Sequence, residues 1–566
     1  MLENKRKTLE FFGSMMLSAV LFLIIYKFIP IVYSTNDDRM IAEIISGQFT
    51  GTPEGYAIQM TYGFTWLLSR LYVLTRSLNW YGIILIAMQI FSFGTILYRL
   101  QSFSKDWRKK LLLVISAMAV FTAVWLKVYV QMTYTTTAAF VGMAAIFWYA
   151  TSKTEWKNLL MVGLLANIAF SIRPNVFYML LPATGLVYLW KLIGKKELKP
   201  LTITAPFMIL AVTACLFFVN ASAYQQEGWK EFMEFFQDRT DIYDFYDLTA
   251  YEECPELYEP YGVDETEYDM IRVYNYTVMG DLPKEFFSQY IEAYQQMEEA
   301  AGITTASKAA NAVKTYLSDV FQGNYGLDNT VVFAAAAVLL VILLMKKNYL
   351  PALYLAVQCA ANCGLWLYFN YWERAIDRIQ ISMSLILLAV ILHVLFEMKD
   401  SKWNVCEKAA VVKIAGVLVL IGISVYAGYN FTTYRHVNIN KAHRYEDVQK
   451  IKEYCAKEPE RLYYMDVATM TELYGRFTIK NTEPEYINYI QMGDWSAYCP
   501  HYEKKLENHG VESIADSLTE ENTYVIMLHN YQMQCLKEYL NVEEEWVETI
   551  WGADETAYAV YRLHGM

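Results

Sequence analysis

Apolar stretches separated by short basic loops make up most of residues 1–430. Eleven of these stretches are long enough, or nearly so, to cross a bilayer as helices. The pattern predicts a mainly α fold, a polytopic membrane helical bundle. The first stretch is too long for a signal peptide and no small-x-small cleavage site follows it, so we expect a retained span. The predicted spans are residues 11–33, 81–99, 111–130, 133–150, 159–172, 175–193, 201–220, 331–345, 349–369, 378–397 and 409–429.

One further apolar segment, residues 58–76, is ambiguous because it carries Arg70 and Arg76. If this segment crossed the membrane, the basic loop 99–110 would face outwards. If it lies along the outer interface instead, every lysine-rich loop falls on the same side as the N-terminus. The positive-inside rule therefore predicts eleven spans, with the N-terminus inside and the C-terminus outside, in a multi-pass protein of the plasma membrane.

Three segments then face outwards: the first loop at 34–80, an acidic loop at 221–330 and the tail at 431–566. The tail alternates strand-like and helical segments, which is typical of a small α/β domain. We therefore expect a transmembrane domain over 1–430 and an extracytoplasmic α/β domain over 431–566. Within these segments the sequence predicts helices at 227–239, 284–301, 446–453 and 532–539, and strands at 461–467, 524–529 and 557–563.

Composition narrows the class of protein further. The chain has 566 residues, of which 55% are hydrophobic and 19% charged, which excludes both an ordinary soluble globule and a chain that lies entirely in lipid. The net charge of −12 argues against a nucleic-acid partner. Eight cysteines form no CxxC pair, and a disulfide among Cys455, Cys499 and Cys535 is left open. No nucleotide-binding or hydrolase motif is present.

Two adjacent carboxylates, Asp37 and Asp38, follow the first span directly. Two like charges at a bilayer boundary cost free energy, so we expect them to have a compensating partner or a function. One interpretation is structural, in which Asn36 or Asp37 caps a helix over residues 39–47. The other is a general base or cation site at the outer end of a membrane cavity. Neighbouring helical side chains point about 100° apart, so the two can differ in role, and Asp38 is preferred for catalysis because Asp37 is the better cap.

Three arginines are expected at the same outer level. Arg173 stands before Pro174, where the chain turns between two short apolar stretches. Arg374 and Arg378 lie in the short loop between two spans, four residues apart, and would share a helix face. Arginine can hold a phosphate through two hydrogen bonds. The alternative for each arginine is an ion pair or a side chain that reaches to the interface.

These features resemble the GT-C class of membrane glycosyltransferases, which use polyprenyl-phosphate-linked sugars, and more narrowly a bacterial GT-C-like group. The resemblance covers roughly residues 1–430, whereas the tail matches no known family. It implies an acidic residue in the first outer loop as the base, and arginines that hold the donor phosphate. Metal-dependent members carry a second acidic motif in a later outer loop, and we find none, so no metal ligand is assigned and a divalent cation is left open. The resemblance rests on the 58–76 segment, the span count, Asn36-Asp37-Asp38, Ser46-Gly47, Thr50-Gly51-Thr52-Pro53-Glu54, Arg239-Thr240-Asp241 and Arg374 with Arg378.

The leading hypothesis is a glycosyltransferase that moves a sugar from a polyprenyl-phosphate donor to a glycan, lipid or protein acceptor of the cell envelope. Asp38 or Asp37 would deprotonate the acceptor, and Arg374, Arg378 or Arg173 would hold the donor phosphate. A transporter or flippase of a lipid-linked or ionic substrate is the alternative, although inverted repeats and mid-membrane charges are not evident. A non-enzymatic envelope assembly protein, acting through the acidic loop and the tail, is the third.

Overall fold

The structure, a computed structural model, describes residues 2–246, 248–398, 409–473 and 475–565. Its first half is almost entirely helical. Short π-helical turns at Phe121–Trp125 and Trp190–Gly194 join α5 to α6 and extend α9. The helices are α1 (Leu2–Phe28), α2 (Asn36–Ser46), α3 (Tyr62–Leu74), α4 (Trp80–Gln101), α5 (Trp107–Val120), α6 (Leu126–Val130), α7 (Tyr134–Thr151), α8 (Trp156–Ile172), α9 (Pro174–Leu189) and α10 (Pro200–Ala223).

The acidic segment that follows folds into helices before the chain returns to the bundle. The helices predicted at 227–239 and 284–301 are confirmed as α11 and α13. Short helical turns lie at Ile242–Tyr246, Pro255–Leu257, Glu259–Tyr261 and Tyr276–Met279. The longer helices are α11 (Trp229–Asp241), α12 (Glu265–Arg272), α13 (Leu282–Ala300), α14 (Thr305–Gln322), α15 (Gly326–Met345), α16 (Tyr349–Tyr371), α17 (Asp377–Met398) and α18 (Ala409–Cys455).

Eight helices among the described residues are long and apolar enough to cross a membrane. Three further predicted spans are also helical, as α7, α8 and the first part of α18. The predicted fold class, a mainly α polytopic bundle, is therefore confirmed, and the count of eleven stays a prediction. The basic loop at 399–408 lies outside the described residues. The eight helices are Lys5–Phe28, Trp80–Gln101, Trp107–Val130, Pro174–Gly194, Pro200–Ala223, Gly326–Met345, Tyr349–Tyr371 and Asp377–Met398.

Helix α7 forms the centre of the bundle. Every residue from Tyr134 to Thr151 is buried, and the helix packs against α4, α8, α9 and α17. A helix that is apolar on all sides is stable only when other helices surround it. Because α7 begins at Tyr134, this packing fixes the position of Tyr134 relative to the first loop.

One end of the bundle, here called the domain end, carries residues 29–79, 224–325 and 431–565. Two short parallel strands, β1 (Val32–Tyr33) and β2 (Gln131–Met132), hold the ends of α1 and α6 side by side there. In α18, the Asn438 side chain donates to the carbonyl oxygens of Pro30 at 2.8 Å and Val130 at 2.7 Å. These contacts bring the first loop and the C-terminal region to the same end of the bundle.

Helix α3 lies within the ambiguous segment 58–76. It has 13 residues, and the backbone N–H of Tyr62 at its start donates to the side chain of Asn220, near the end of α10. At the other end, the Trp80 indole donates to the carbonyl of Thr75. Both ends of α3 thus lie at the domain end, so the helix does not cross the bundle. Trp66, Leu67, Val73 and Leu74 leave its outer side apolar and exposed.

The C-terminal region forms a five-stranded sheet in the order β4-β3-β5-β7-β6. Strands β3, β4 and β5 are parallel, β7 runs antiparallel to β5, and the edge strand β6 runs antiparallel to β7. The predicted strands at 461–467, 524–529 and 557–563 are confirmed, whereas β4 and β6 were not predicted. The strands are β3 (Leu462–Met465), β4 (Tyr489–Gln491), β5 (Thr523–Met527), β6 (Val542–Trp551) and β7 (Ala557–Gly565), and the helices α19 (Val467–Thr471), α20 (Pro500–Asn508), α21 (Ile514–Ser517) and α22 (Asn530–Leu540).

The remaining sequence predictions for this region have different outcomes. The helix at 532–539 is confirmed as α22, and 446–453 proves to be the end of the long helix α18. The disulfide left open among Cys455, Cys499 and Cys535 is absent, since all three are free and buried thiols. The division of the chain at residue 430 stays a prediction.

Candidate active site

Helix α2 places the two carboxylates at the domain end of the bundle. The helix begins at Asn36 with Thr35 as its N-cap, and Gly47 ends it in the left-handed conformation, with φ of 87°. The expectation that Asn36 or Asp37 caps a helix starting at Arg39 is therefore wrong. Because neither carboxylate caps α2, the reason for preferring Asp38 over Asp37 no longer holds. Both lie in the first turn, where the partial positive charge of a helix N-terminus favours anions.

Asp38 is fully buried and held by three hydrogen bonds. Its Oδ1 accepts from the Tyr81 hydroxyl at 2.6 Å and from the Tyr134 backbone N–H at 3.0 Å. Its Oδ2 accepts from the Thr35 hydroxyl at 2.7 Å. Loss of hydration on burial raises the pKa of Asp38 to about 7, although the Tyr81 and Thr35 hydroxyls favour the ionised form. Asp38 thus titrates near neutral pH and fixes the geometry around it.

Asp37 is only half-buried and is the more accessible of the two carboxylates. Its Oδ2 accepts from the Tyr134 hydroxyl at 3.2 Å. Tyr134 therefore contacts both residues, since its backbone N–H holds Asp38 and its side chain holds Asp37. Asp37 is thus partly open to solvent, whereas Asp38 is not.

The predicted arginines Arg173 and Arg378 join the same cluster. The Arg173 guanidinium lies 5.2 Å from the centre of the Tyr134 ring and donates to the Gln59 carbonyl at 2.9 Å. Arg378 interacts electrostatically with Tyr134, Asp37 and Asp38. Within the described part of the chain its guanidinium has neither a hydrogen-bond partner nor an ion-pair partner. Arg378 is thus available for an anionic ligand.

Arg374 differs from the other two arginines because it already has a partner. Its guanidinium forms an ion pair with Asp244 at 2.9 Å and lies 6.0 Å from the Phe245 ring centre. Asp244 also interacts electrostatically with Arg378. Arg374 therefore connects the acidic segment to the residues just before α17, close to the cluster, but has less capacity left for a phosphate.

A second basic and acidic pair faces the cluster from the acidic segment and the C-terminal region. The Arg239 guanidinium lies 5.1 Å from the Tyr243 ring centre, and its Nε donates to the Tyr276 hydroxyl at 3.3 Å. Asp494 interacts electrostatically with both Arg239 and Asp37, and burial raises its pKa to about 6. Asp494 has a φ of 116°, a conformation that a residue other than glycine rarely adopts. Folding thus brings residues that are far apart in the sequence into one charged cluster.

Sequence reasoning missed Tyr81, Tyr134 and Asp494 as parts of this site. Tyr81 and Tyr134 begin apolar helices, where tyrosine is common near a membrane boundary. Asp494 lies in an irregular segment of the tail without a recognisable motif. No group of three or more His, Cys, Asp or Glu side chains that could hold a metal ion occurs within the described ranges.

A buried ionic network fixes α2 to the C-terminal region. The Lys452 ammonium contacts Glu43 of α2 at 2.8 Å and Glu483 at 2.7 Å, and the Tyr489 hydroxyl donates to Glu43 at 3.1 Å. Burial alone would raise the pKa of Glu43, but the charges of Lys452 and Arg39 hold it below its usual value. The helix that carries Asp37 and Asp38 is thus positioned by residues more than 400 positions away in the sequence.

Comparisons with known proteins give limited information. No family model matches the chain, and no curated protein matches it. The crystal structure of ArnT from Cupriavidus metallidurans bound to undecaprenyl phosphate is similar, with 10% identity and a TM-score of 0.40, over 97% of this chain and 97% of that chain. The apo structure of the same protein has 11% identity and a TM-score of 0.41, over 97% of this chain and 96% of that chain. Similarity at this level of identity and TM-score does not show a shared activity.

Proposed function

We propose that this chain is a membrane glycosyltransferase that uses a sugar linked to a polyprenyl phosphate and acts at the outer face of the plasma membrane. The observation that carries the proposal is the proximity, around Tyr134, of a partly accessible carboxylate, Asp37, and an unpaired arginine, Arg378. A carboxylate serves as a base toward a hydroxyl, and an arginine serves as a ligand of a phosphate. The GT-C resemblance of the sequence assigns the same roles to these positions.

In the proposed reaction, Asp37 takes the proton of the acceptor hydroxyl. The acceptor oxygen forms a bond to the anomeric carbon, and the bond from that carbon to the phosphate oxygen breaks with inversion. The polyprenyl phosphate leaves with the electron pair, and Arg378 with Arg173 stabilises the negative charge that develops on it. Asp38 acts as a positioning residue, because it holds the backbone of Tyr134, whose hydroxyl orients Asp37.

Binding of the carrier lipid is the direct test of the arginine assignment. The protein in nanodiscs would be titrated with undecaprenyl phosphate, with undecaprenol as the uncharged reference. Arg378→Ala should raise the Kd about tenfold or more, since a charge-assisted hydrogen bond contributes roughly 1.5–3 kcal/mol. Arg272→Ala is the matched control, because Arg272 is an exposed arginine of α12 that is paired with Asp269. Equal Kd values for the two variants would contradict the assignment.

The role of the carboxylates needs a transfer assay. Membranes that contain the protein would be supplied with a radiolabelled polyprenyl-phosphate sugar, and label that moves to envelope material would be counted. Asp37→Asn should abolish transfer while Kd for undecaprenyl phosphate stays unchanged, because the amide cannot accept the proton. Full transfer by Asp37→Asn would exclude this mechanism.

A further inference from the structure

Helix α16 carries a line of polar side chains through the bundle. Its members follow one another at intervals of four residues, which makes consecutive members neighbours on the helix surface, and all of them are buried. From first to last they extend over about 24 Å, compared with about 30 Å for the hydrocarbon core of a bilayer. Polar groups inside a membrane bundle require hydrogen-bond partners. These residues, here called the polar line, are Tyr354, Gln358, Asn362, Trp366 and Asn370.

The amide N–H groups in the middle of the polar line have partners on the neighbouring helices. Gln358 Nε2 donates to the Tyr354 hydroxyl at 2.9 Å and to the Ala183 carbonyl of α9 at 3.2 Å. Asn362 Nδ2 donates to the Met383 carbonyl of α17 at 3.2 Å. These two amides therefore hold α9 and α17 against α16.

The amide oxygens of the same two residues lack such partners. Gln358 is 2% exposed, and among the described residues no hydrogen-bond donor reaches its Oε1. For Asn362, which is also buried, the part of the chain that the structure describes provides a partner for Nδ2 alone. A buried amide oxygen without a donor is unfavourable. Both oxygens thus point to a partner that is not a protein side chain.

A small cavity lies beside these two side chains, where α9, α16 and α17 meet. Its walls include Pro182 and Ala183 of α9, Gln358 and Asn362 of α16, and Leu387 of α17. The space open to the centre of a water molecule is about 10 Å³. A cavity of this size has room for about one water molecule and is too small for a sugar or a lipid chain.

The backbone of α9 also lacks a donor beside the cavity. Pro182 lies inside α9 and has no N–H to donate to the carbonyl one turn earlier. Ordered water is one of the groups that replace such a missing donor in membrane helices. A water molecule has two O–H groups, which matches the two amide oxygens at the cavity wall. Size and chemistry therefore both indicate water as the occupant.

We infer that this cavity binds one ordered water molecule, which donates one hydrogen bond to Gln358 Oε1 and one to Asn362 Oδ1. By orienting both amides, the water supports the bonds that join α16 to α9 and α17. Arg173 is the N-cap of α9, and Arg378 lies in the first turn of α17, each roughly 14 Å from the cavity along its helix. The water thus helps to fix the two helices that position these arginines. The site does not depend on the proposed function, because its ligand is not a substrate.

Hydroxyl-radical footprinting of the full-length protein in nanodiscs tests the site, because radicals formed from a bound water oxidise the side chains that touch it. Leu387 lines the cavity, whereas Leu385, two residues away and also buried, does not. We expect Leu387 to be oxidised several times faster than Leu385, and Gln358→Leu to bring the two rates together. Gln89→Leu is the matched control, because Gln89 is a fully buried glutamine of α4 that does not line the cavity. It should leave the ratio of the two rates unchanged.

Two results would overturn the inference. The first is equal oxidation of Leu387 and Leu385 in the wild type, which would identify the cavity as a dry apolar void. The second is fast oxidation of Leu387 that persists in Gln358→Leu, because the water would then not be held by this amide. If Gln358→Leu fails to fold, the wild-type comparison decides, together with an experimental map in which a water peak is expected about 3 Å from both amide oxygens.

Discussion

The carboxyl group of Asp38 is expected to titrate near pH 7, and replacing it by asparagine should change how stability depends on pH. Asp38 is completely buried, and desolvation raises its pKa from 3.8 to about 7. At about 1.36 kcal/mol for each pKa unit, this interval corresponds to a cost of roughly 4 kcal/mol for ionising Asp38 in the folded protein.

The direction in which stability changes with pH follows from proton linkage. The folded pKa lies above the unfolded one, so the folded protein holds this proton more tightly. Below pH 4 Asp38 is protonated in both the folded and the unfolded state, so its ionisation does not reduce the stability of the fold. Between pH 4 and pH 7 the cost grows, and above pH 7 it is fully present. Wild-type stability should therefore fall relative to Asp38→Asn as the pH rises from 4 to 8. The asparagine can keep all three hydrogen bonds, because its amide oxygen accepts from Tyr81 and Tyr134 and its amide N–H donates to Thr35.

Two measurements check this prediction. An infrared pH titration, with Asp38→Asn subtracted from the wild type, isolates the carboxyl band of this residue, and we expect its midpoint near pH 7. Melting temperatures of both proteins at pH 5 and pH 8 report the stability difference. A midpoint near pH 4, or melting temperatures that change in parallel, would refute the argument that burial outweighs the hydrogen bonds.

Three more predictions concern the packing that positions the site. Lys452→Met should cost about 3–5 kcal/mol of unfolding free energy, because it removes the closest cation of the buried Glu43 and the ion-pair partner of the partly buried Glu483; Lys457→Met, at an exposed position, should cost little, and equal melting temperatures would contradict this. Gly82→Ala should destabilise by roughly 1–3 kcal/mol, because its Cβ would lie 2.6 Å from the Tyr33 hydroxyl oxygen and closer still to Phe477; Gly185→Ala, with open space around it, is the control. Trp366→Ala should cost about 3–5 kcal/mol in chemical unfolding, since Trp366 is 0% exposed and its ring centre lies 4.2 Å from that of Tyr325; a loss below about 1 kcal/mol, as expected for the exposed Trp107→Ala, would show that the core can fill the space.

Much of the bundle could be predicted from the sequence because lipid imposes a simple rule. A helix that crosses a bilayer needs about 20 apolar residues, and the helices begin and end near the predicted bounds. The sequence signal for the strands of the tail is weaker than that for membrane helices. Strand β6 was missed because its run of Glu543 to Glu545 lies on an exposed edge, where neither face requires apolar residues.

The candidate site was only partly predictable. Asp37, Asp38 and Arg378 could be found because charged residues at the end of an apolar stretch are unusual. The cap of α2 was misjudged, since Thr35, Asn36 and Asp37 are all good caps and only the backbone conformation distinguishes them. Asp494 could not be found, because its place beside Asp37 depends on how the C-terminal region packs on α2. No local pattern encodes such a long-range contact.

The most direct test of the central claim is an experimental structure of the protein in nanodiscs with undecaprenyl phosphate. We expect the phosphate about 3 Å from the Arg378 guanidinium and near the Asp37 carboxylate. A phosphate bound elsewhere, with Arg378 unoccupied, would contradict it.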